Sequence, residues 1–257
     1  MSFAWGLVRQ LRQIGKNRTA ERYTTVLNSF GRFLGESDVL PEEMDSDLMV
    51  RYETFLKARG ICPNSSSYYM RGLRAVYNRA VEKELTVQRN PFKHVYTGID
   101  KTVKRAVPLK IIRQIRDADL TLTPATDYAR DLFIFSFYTR GMSFVDMAYL
   151  RKKDLQNGVL AYRRQKTGQQ LFIKWEKPMQ EIVEKYDTSG TPYLLPIIRD
   201  MEKDARRQYK NAAHLVNAKL KKLGEQLGLG IPLTTYVARH AWASIAKSKN
   251  IPVSTIS

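Results

Sequence analysis

Thr235-Tyr236-Val237-Ala238-Arg239-His240-Ala241-Trp242-Ala243 is the stretch on which the reading of this chain turns. An arginine followed at once by a histidine, near the start of a helix, suits phosphate chemistry. Cleaving a phosphodiester concentrates negative charge on non-bridging oxygens, and paired arginines are a natural clamp for it. The leaving 5′-oxygen needs a proton, which a lysine or histidine can supply. A nucleophile must attack in line.

Two further cations fit that scheme. Val159 to Arg164 and Leu171 to Trp175 are β-like runs around a turn, and Lys166-Thr167-Gly168-Gln169 places Lys166 at its tip. Arg140 interrupts Tyr138-Thr139-Arg140-Gly141-Met142, which is otherwise mostly apolar. A charge beside a core segment is costly unless paired. Arg140 is therefore either a site cation or one half of a structural salt bridge, to Asp131 or Asp146. Lys166 alone reads as a solvated lysine, and Arg239 alone as a surface arginine. The three histidines (His94, His214, His240), one cysteine and unclustered carboxylates make no metal constellation. No GxxxxGK loop is present, which argues against nucleotide hydrolysis. No cofactor is expected.

The composition points to a polyanion. The net charge is +18, from 43 Lys and Arg against 25 Asp and Glu. Cationic surfaces gain affinity for nucleic acid by releasing counterions from its phosphates. Residues 1–103 carry 16 basic and 11 acidic side chains and residues 104–257 carry 27 and 14, so both halves are positive. A ribosome-associated or membrane-surface protein can be equally basic. An RNA-binding protein is disfavoured, because no aromatic sheet signature is present. The single Cys62 forbids an internal disulfide and reads as a small buried thiol in a reducing compartment. No apolar run approaches the ~20 residues of a membrane span, and Arg9 and Arg12 follow Phe3-Ala4-Trp5 too closely for a secretory segment. A cytoplasmic protein with no membrane partner is expected.

The spacing of apolar residues predicts a mainly α fold with one small sheet. Thr19 can cap a helix carrying Tyr23, Val26, Leu27, Phe30, Phe33 and Leu34, with Gly35 as its end. Asp45 or Ser46 caps a second, ended by Gly60. Pro63-Asn64-Ser65-Ser66-Ser67 opens a third, on which Arg71, Arg74 and Arg79 are either a solvated face or phosphate contacts. Asn90-Pro91 breaks the pattern, and the polar stretch through Lys104-Arg105 reads as a linker. The expected division is 1–90, linker 91–104, and 105–257, forming two lobes around a DNA-sized cleft. In the second half Pro108 opens a helix, Arg130 to Tyr149 is an apolar helix pair, Asn157-Gly158 is a turn, and helices resume near Ile197.

These residues together resemble the tyrosine recombinases, the phage-integrase family. Val237-Ala238-Arg239-His240-Ala241-Trp242-Ala243-Ser244 looks like its second-arginine motif, Arg164-Gln165-Lys166-Thr167-Gly168 like its hairpin lysine, and Phe137 to Leu150 like its first-arginine region. The helical stretch from about Thr19 to Lys83 is similar to its SAM-like core-binding domain. The likeness runs through nearly the whole chain and is strongest to integrases of mobile elements such as conjugative transposons. It implies a SAM-like core-binding domain followed by a catalytic domain. It further implies double-stranded DNA as partner, self-assembly on that DNA, and cleavage through a phosphotyrosine intermediate without metal or nucleotide. Arg140 and Arg239 would hold the phosphate, Lys166 would protonate the leaving oxygen, and His240 or Tyr236 would support the phosphate. Arg71, Arg74, Arg79, Lys104, Arg105 and Arg164 would contact DNA.

Three departures qualify the resemblance. Tyr236 stands where the pattern His-x-x-Arg has histidine. Three residues before Asp146, where the family has its first arginine, stands Ser143, with Arg140 one turn further back. The family's Gly-His motif and nucleophilic tyrosine would lie beyond Ser257, so the sequence reads as lacking the nucleophile segment. The alternative reading is a non-catalytic DNA-binding protein derived from an integrase.

Overall fold

The computed structural model describes residues 1–35, 37–102 and 105–251, within two compact units, Met1–Thr102 and Val103–Ser257. Both units are mainly helical, and the described residues contain one three-stranded sheet. No described helix is long and apolar enough to cross a membrane.

Unit 1 contains α1 (Ser2–Gln13), α2 (Asn17–Leu34), α3 (Ser46–Ala58) and α4 (Pro63–Glu82). The expected stripe of α2 is inward: Val26, Leu27 and Phe30 are buried. The helix begins before Thr19, however, because the carbonyl of Lys16 already accepts from the amides of Thr19 and Ala20 at 3.1 and 3.0 Å. Asp45 caps α3, its carboxylate accepting from the Leu48 amide at 2.8 Å. Cys62 is not buried: it is exposed at the N-cap of α4. The first helix, α1, is additional to the sequence reading and buries Ala4, Leu7 and Val8.

The segment after Asn90 also differs from a free linker. Phe92 and Val95 are buried in the core of unit 1. The carboxylate of Glu53, itself buried, accepts from the Tyr96 amide and from Lys57 Nζ, each at 2.8 Å. Asn64 exchanges hydrogen bonds with the backbone of Asp100 at 3.1 and 2.8 Å. Two apolar anchors and a few satisfied polar groups fasten a segment that shows no periodicity of its own.

Unit 2 contains α5 (Leu109–Arg116), α6 (Pro124–Tyr138), α7 (Phe144–Ala148), β1 (Leu155–Gln156), β2 (Val159–Arg163), β3 (Gln170–Lys174), α8 (Lys177–Glu184), α9 (Ala205–Gln226) and α10 (Thr235–Ser248). Leu132, Phe133, Ile134 and Phe135 are all buried, so this turn of α6 is apolar on every side and takes the middle of the unit. It packs on α5, α8, α9 and α10. The strands pair antiparallel in the order β1-β2-β3, and Asn157-Gly158 makes the first turn. Helix does not resume at Ile197. Leu194, Leu195, Ile197 and Ile198 are buried as irregular chain, and the next helix begins only at Ala205. Strand β1 and helix α8 are additions to the sequence reading, both short.

Candidate functional site

The site begins at the end of α6. The amide of Arg140 donates to the Phe137 carbonyl at 3.2 Å and that of Gly141 to Ser136 at 2.7 Å. Both residues have left-handed backbones, with φ of 60° and 73°. Such a conformation costs an arginine about 1–3 kcal/mol. It reverses the chain and leaves the Arg140 side chain exposed. At Gly141 the glycine is required twice over. A Cβ there would stand 2.8 Å from the Arg239 Cα, in a backbone conformation that side chains resist. This close approach lets the Arg239 guanidinium donate to the Gly141 carbonyl at 3.0 Å.

Arg140 and Arg239 consequently line one recess, together with Arg164, Tyr162, Trp242 and part of β3. Neither carboxylate that could have neutralised Arg140 does so. Asp131 accepts from Arg130 Nε at 2.7 Å, Lys185 Nζ at 2.8 Å and the Tyr186 hydroxyl at 2.7 Å. Asp146 is taken by α7 and the hairpin. The salt-bridge alternative for Arg140 is therefore not what the structure contains. Three guanidinium groups without a carboxylate among them favour an oxyanion, since each presents a planar fork of donors. Burial, followed by the Asp146 charge, pushes the Tyr162 phenol up to about 12, against the opposing pull of Arg164 and Arg239. It is a neutral phenol at ordinary pH.

Lys166 lies in the exposed turn between β2 and β3, outside the recess wall. The turn is closed by Gly168 N to Arg164 O at 2.8 Å and Arg164 N to Gln169 O at 2.9 Å. It is also pinned from α7. The buried Asp146 accepts from the Gln165 amide at 2.8 Å, and its other oxygen accepts from the Ser143 hydroxyl at 2.6 Å. Ser143 is the N-cap of α7. The position the resemblance assigns to an arginine thus orients the carboxylate that fixes the residue before Lys166. In the sequence Asp146 reads as a landmark and as a candidate partner of Arg140, not as the anchor of the Gln165 amide, and Gly141 gives no local signal of its 98-residue contact.

Tyr236, Arg239 and His240 share α10. Tyr236 is exposed and precedes Arg239 by three residues, which puts the two on one face. The Tyr236 and His240 rings meet edge to face with centroids 4.4 Å apart.

The remaining candidates are dispersed. Arg71, Arg74 and Arg79 stand on α4. Arg74 donates to the Thr97 hydroxyl at 3.3 Å, and Arg79 is paired with Glu82 at 2.8 Å. Arg105 is exposed, and Lys104 lies outside the described residues. Among the described residues no group of His, Cys, Asp and Glu could hold a metal ion.

Comparisons with known proteins bear on the fold. Residues 1–103 match the family model of the phage integrase SAM-like domain. A lambda integrase dimer bound to a COC′ core site is similar over 96% of this chain and 89% of that one, with a TM-score of 0.67 and 15% identity. The Tn1549 transposon integrase in complex with transposon right end DNA matches 100% of this chain and 90% of its own, with a TM-score of 0.69 and 15% identity. XerH recombinase bound to its difH substrate matches 97% and 75%, with a TM-score of 0.65 and 11% identity. No curated protein matches the chain. Identities this low speak for the fold, and the SAM-like match speaks for the first unit: the chain has the tyrosine-recombinase fold, opening with a phage integrase SAM-like domain.

Proposed function

We propose that this chain acts on double-stranded DNA as a site-specific recombinase or integrase, holding the DNA and activating its phosphate. The observation that carries the reading is the recess shared by Arg140 and Arg239, two cations of unit 2 from distant points in the sequence with no carboxylate partner among the described residues. Arg140 and Arg239 hold the scissile phosphate. Arg164, beside them, contributes a third donor. Lys166, on its pinned turn, gives its proton to the departing 5′-oxygen as a tyrosine oxygen bonds to phosphorus. His240 and Tyr236 support the phosphate from α10. The covalent 3′-phosphotyrosyl link conserves the energy of the broken ester, so rejoining needs no metal or nucleotide. The arginines of α4, with Lys104 and Arg105, contact DNA phosphates elsewhere. The DNA-bound lambda and Tn1549 integrases support the choice of partner, and the lambda dimer supports assembly of several copies on that DNA.

Within residues 1–257 no tyrosine is proposed as nucleophile. The buried phenol of Tyr162 is too weakly acidic, and Tyr236 is assigned to phosphate support. The polypeptide 1–257 is expected to retain duplex DNA and to form no denaturant-resistant adduct with a nicked suicide substrate. Arg239→Ala should abolish most of that retention. An adduct from this polypeptide would put the nucleophile among its own tyrosines, Tyr236 first. DNA retention unaffected by Arg239→Ala would remove the recess from the reading.

Ser143 favours a second reading. With that residue engaged as a helix cap, the clamp has one arginine in the expected place and one displaced, which suits a protein that grips DNA without cutting it. The two readings part on whether any form of the protein with a tyrosine supplied beyond residue 257 yields the adduct.

A further inference from the structure

The last stretch of unit 1 is fastened in two different ways. Phe92 and Val95 are buried in its core. From Tyr96 to Asp100 no residue is buried, and Ile99 is 73% exposed. Polar side chains along one side of α4 hold this segment instead. Asn64 donates to the Asp100 carbonyl at 3.1 Å and accepts from the Asp100 amide at 2.8 Å, as the backbone of a neighbouring strand would. The fully buried Ser67 donates its hydroxyl to the Gly98 carbonyl at 2.5 Å. Arg74 donates to the Thr97 hydroxyl at 3.3 Å. The Tyr96 hydroxyl donates to the Asp100 carboxylate and closes the segment on itself. Its ring lies against Gly98, where a Cβ would stand 2.7 Å away. A segment held by hydrogen bonds, with little apolar area buried, opens at low cost.

We propose that Tyr96 to Asp100 is a clasp that sets how far apart the two units can reach on DNA. After Asp100 the next residue seated in a core is Val107, in unit 2. The seven peptide steps between them span at most roughly 25 Å in any conformation. With the clasp open and the Tyr96 amide still held by Glu53, the limit becomes eleven steps, or roughly 40 Å. The inference rests on the reading of this chain as a DNA-holding protein and adds what keeps its two positive halves on one stretch of duplex. Once one unit is bound, the effective concentration of the other beside the same duplex falls as about the −3/2 power of tether length. Opening the clasp therefore lowers it about twofold. Asn64 and Ser67 are the latch, and they act on reach without touching the phosphate.

The test measures reach and grip separately. Spin labels at Asn28→Cys in unit 1 and Glu181→Cys in unit 2, both exposed positions, are placed in a Cys62→Ser background. The clasp is opened from the helix side by Asn64→Ala with Ser67→Ala, and from its own side by Tyr96→Ala. Double electron–electron resonance on the free protein should show the longest populated distances moving outward by up to about 15 Å in both variants. Affinity for a duplex long enough to engage both units should fall about twofold, with the helical circular dichroism unchanged. Distances that do not move in either variant, or a reach that lengthens while duplex affinity stays the same, overturn the clasp. So does an unsubstituted protein whose distances already extend as far as those of the variants. Arg239→Ala, tested with the clasp intact, keeps the two readings apart. If it leaves duplex binding untouched, the recess is not the DNA site, and the distances still decide whether the clasp sets reach.

Discussion

The carbonyl of Gly141 accepts a hydrogen bond from the Arg239 guanidinium at 3.0 Å. One end of α6 is thereby fixed to the helix that supplies the second arginine, and the first arginine is the very next residue back. The backbone turn that places Arg140 is the same turn that admits Arg239, so the two cations are positioned by one local structure. A Cβ on residue 141 would stand 2.8 Å from the Arg239 Cα. Gly141→Ala is expected to destabilise unit 2 by about 1–3 kcal/mol and to lose DNA affinity beyond what unfolding explains. Urea unfolding and duplex binding, measured on the same preparation, check this.

Arg140 should be a residue whose removal helps the fold and harms the function. Its φ of 60° suits glycine better than arginine, and no carboxylate pair is lost with it. Arg140→Gly is expected to leave stability unchanged or raise it by up to about 1 kcal/mol. The same change should weaken DNA binding and lower the slope of log affinity against log salt by about 0.9 for the phosphate contact removed. A loss of stability with unchanged binding would make Arg140 a structural residue.

The hairpin turn depends on Asp146. Asp146→Ala removes the acceptor for the Gln165 amide and the partner of the Ser143 hydroxyl. A cost of roughly 1–3 kcal/mol follows from leaving those groups unsatisfied. Hydrogen exchange at Gln165 should accelerate relative to amides in β2, because the turn opens while the ladder holds. Unchanged protection there would mean that the turn closes without α7.

Alkaline pH should unfold the chain through its buried phenols. Tyr52 in unit 1 and Tyr162 in unit 2 are both pushed up to about 12, chiefly by burial. The ordinary value is about 10. Below pH 10 both folded and unfolded states keep these protons, and the stabilisation is whole. Above pH 10 the unfolded chain releases them first, so stability falls as pH rises through 12. Urea midpoints recorded from pH 9 to 12 should decline, and Tyr162→Phe should flatten the decline of unit 2.

Much of this was legible in the sequence, and the failures have physical causes. Helix α6 could be read because Leu132 to Phe135 are apolar without a break, and the Asn157-Gly158 turn because few other pairs accept two left-handed residues. Arg140, Lys166 and Arg239 could be singled out as residue types in a chain of high positive charge. What could not be read is long-range. Nothing local says that Glu53 would clasp Tyr96 and turn an apparent linker into part of unit 1. Nor does anything local say that the Ser143 side chain would be engaged by Asp146. Helix α1 left a trace in Ala4, Leu7 and Val8, but Arg9, Gln10 and Arg12 dilute it. The helix expected near Ile197 starts only at Ala205, where Asp204 caps it, and the apolar residues from Leu194 to Ile198 are buried as irregular chain instead.

The most direct test of the central claim, that Arg140 and Arg239 hold the same phosphate, is a double-mutant cycle on duplex DNA binding with Arg140→Gly and Arg239→Ala. Each single change should weaken binding about tenfold, roughly 1.4 kcal/mol. The double variant should lose less than the sum, with a coupling of about 0.5 kcal/mol or more, because either loss alone already spoils the shared contact. Strictly additive losses, or no loss from Arg239→Ala, would contradict the account.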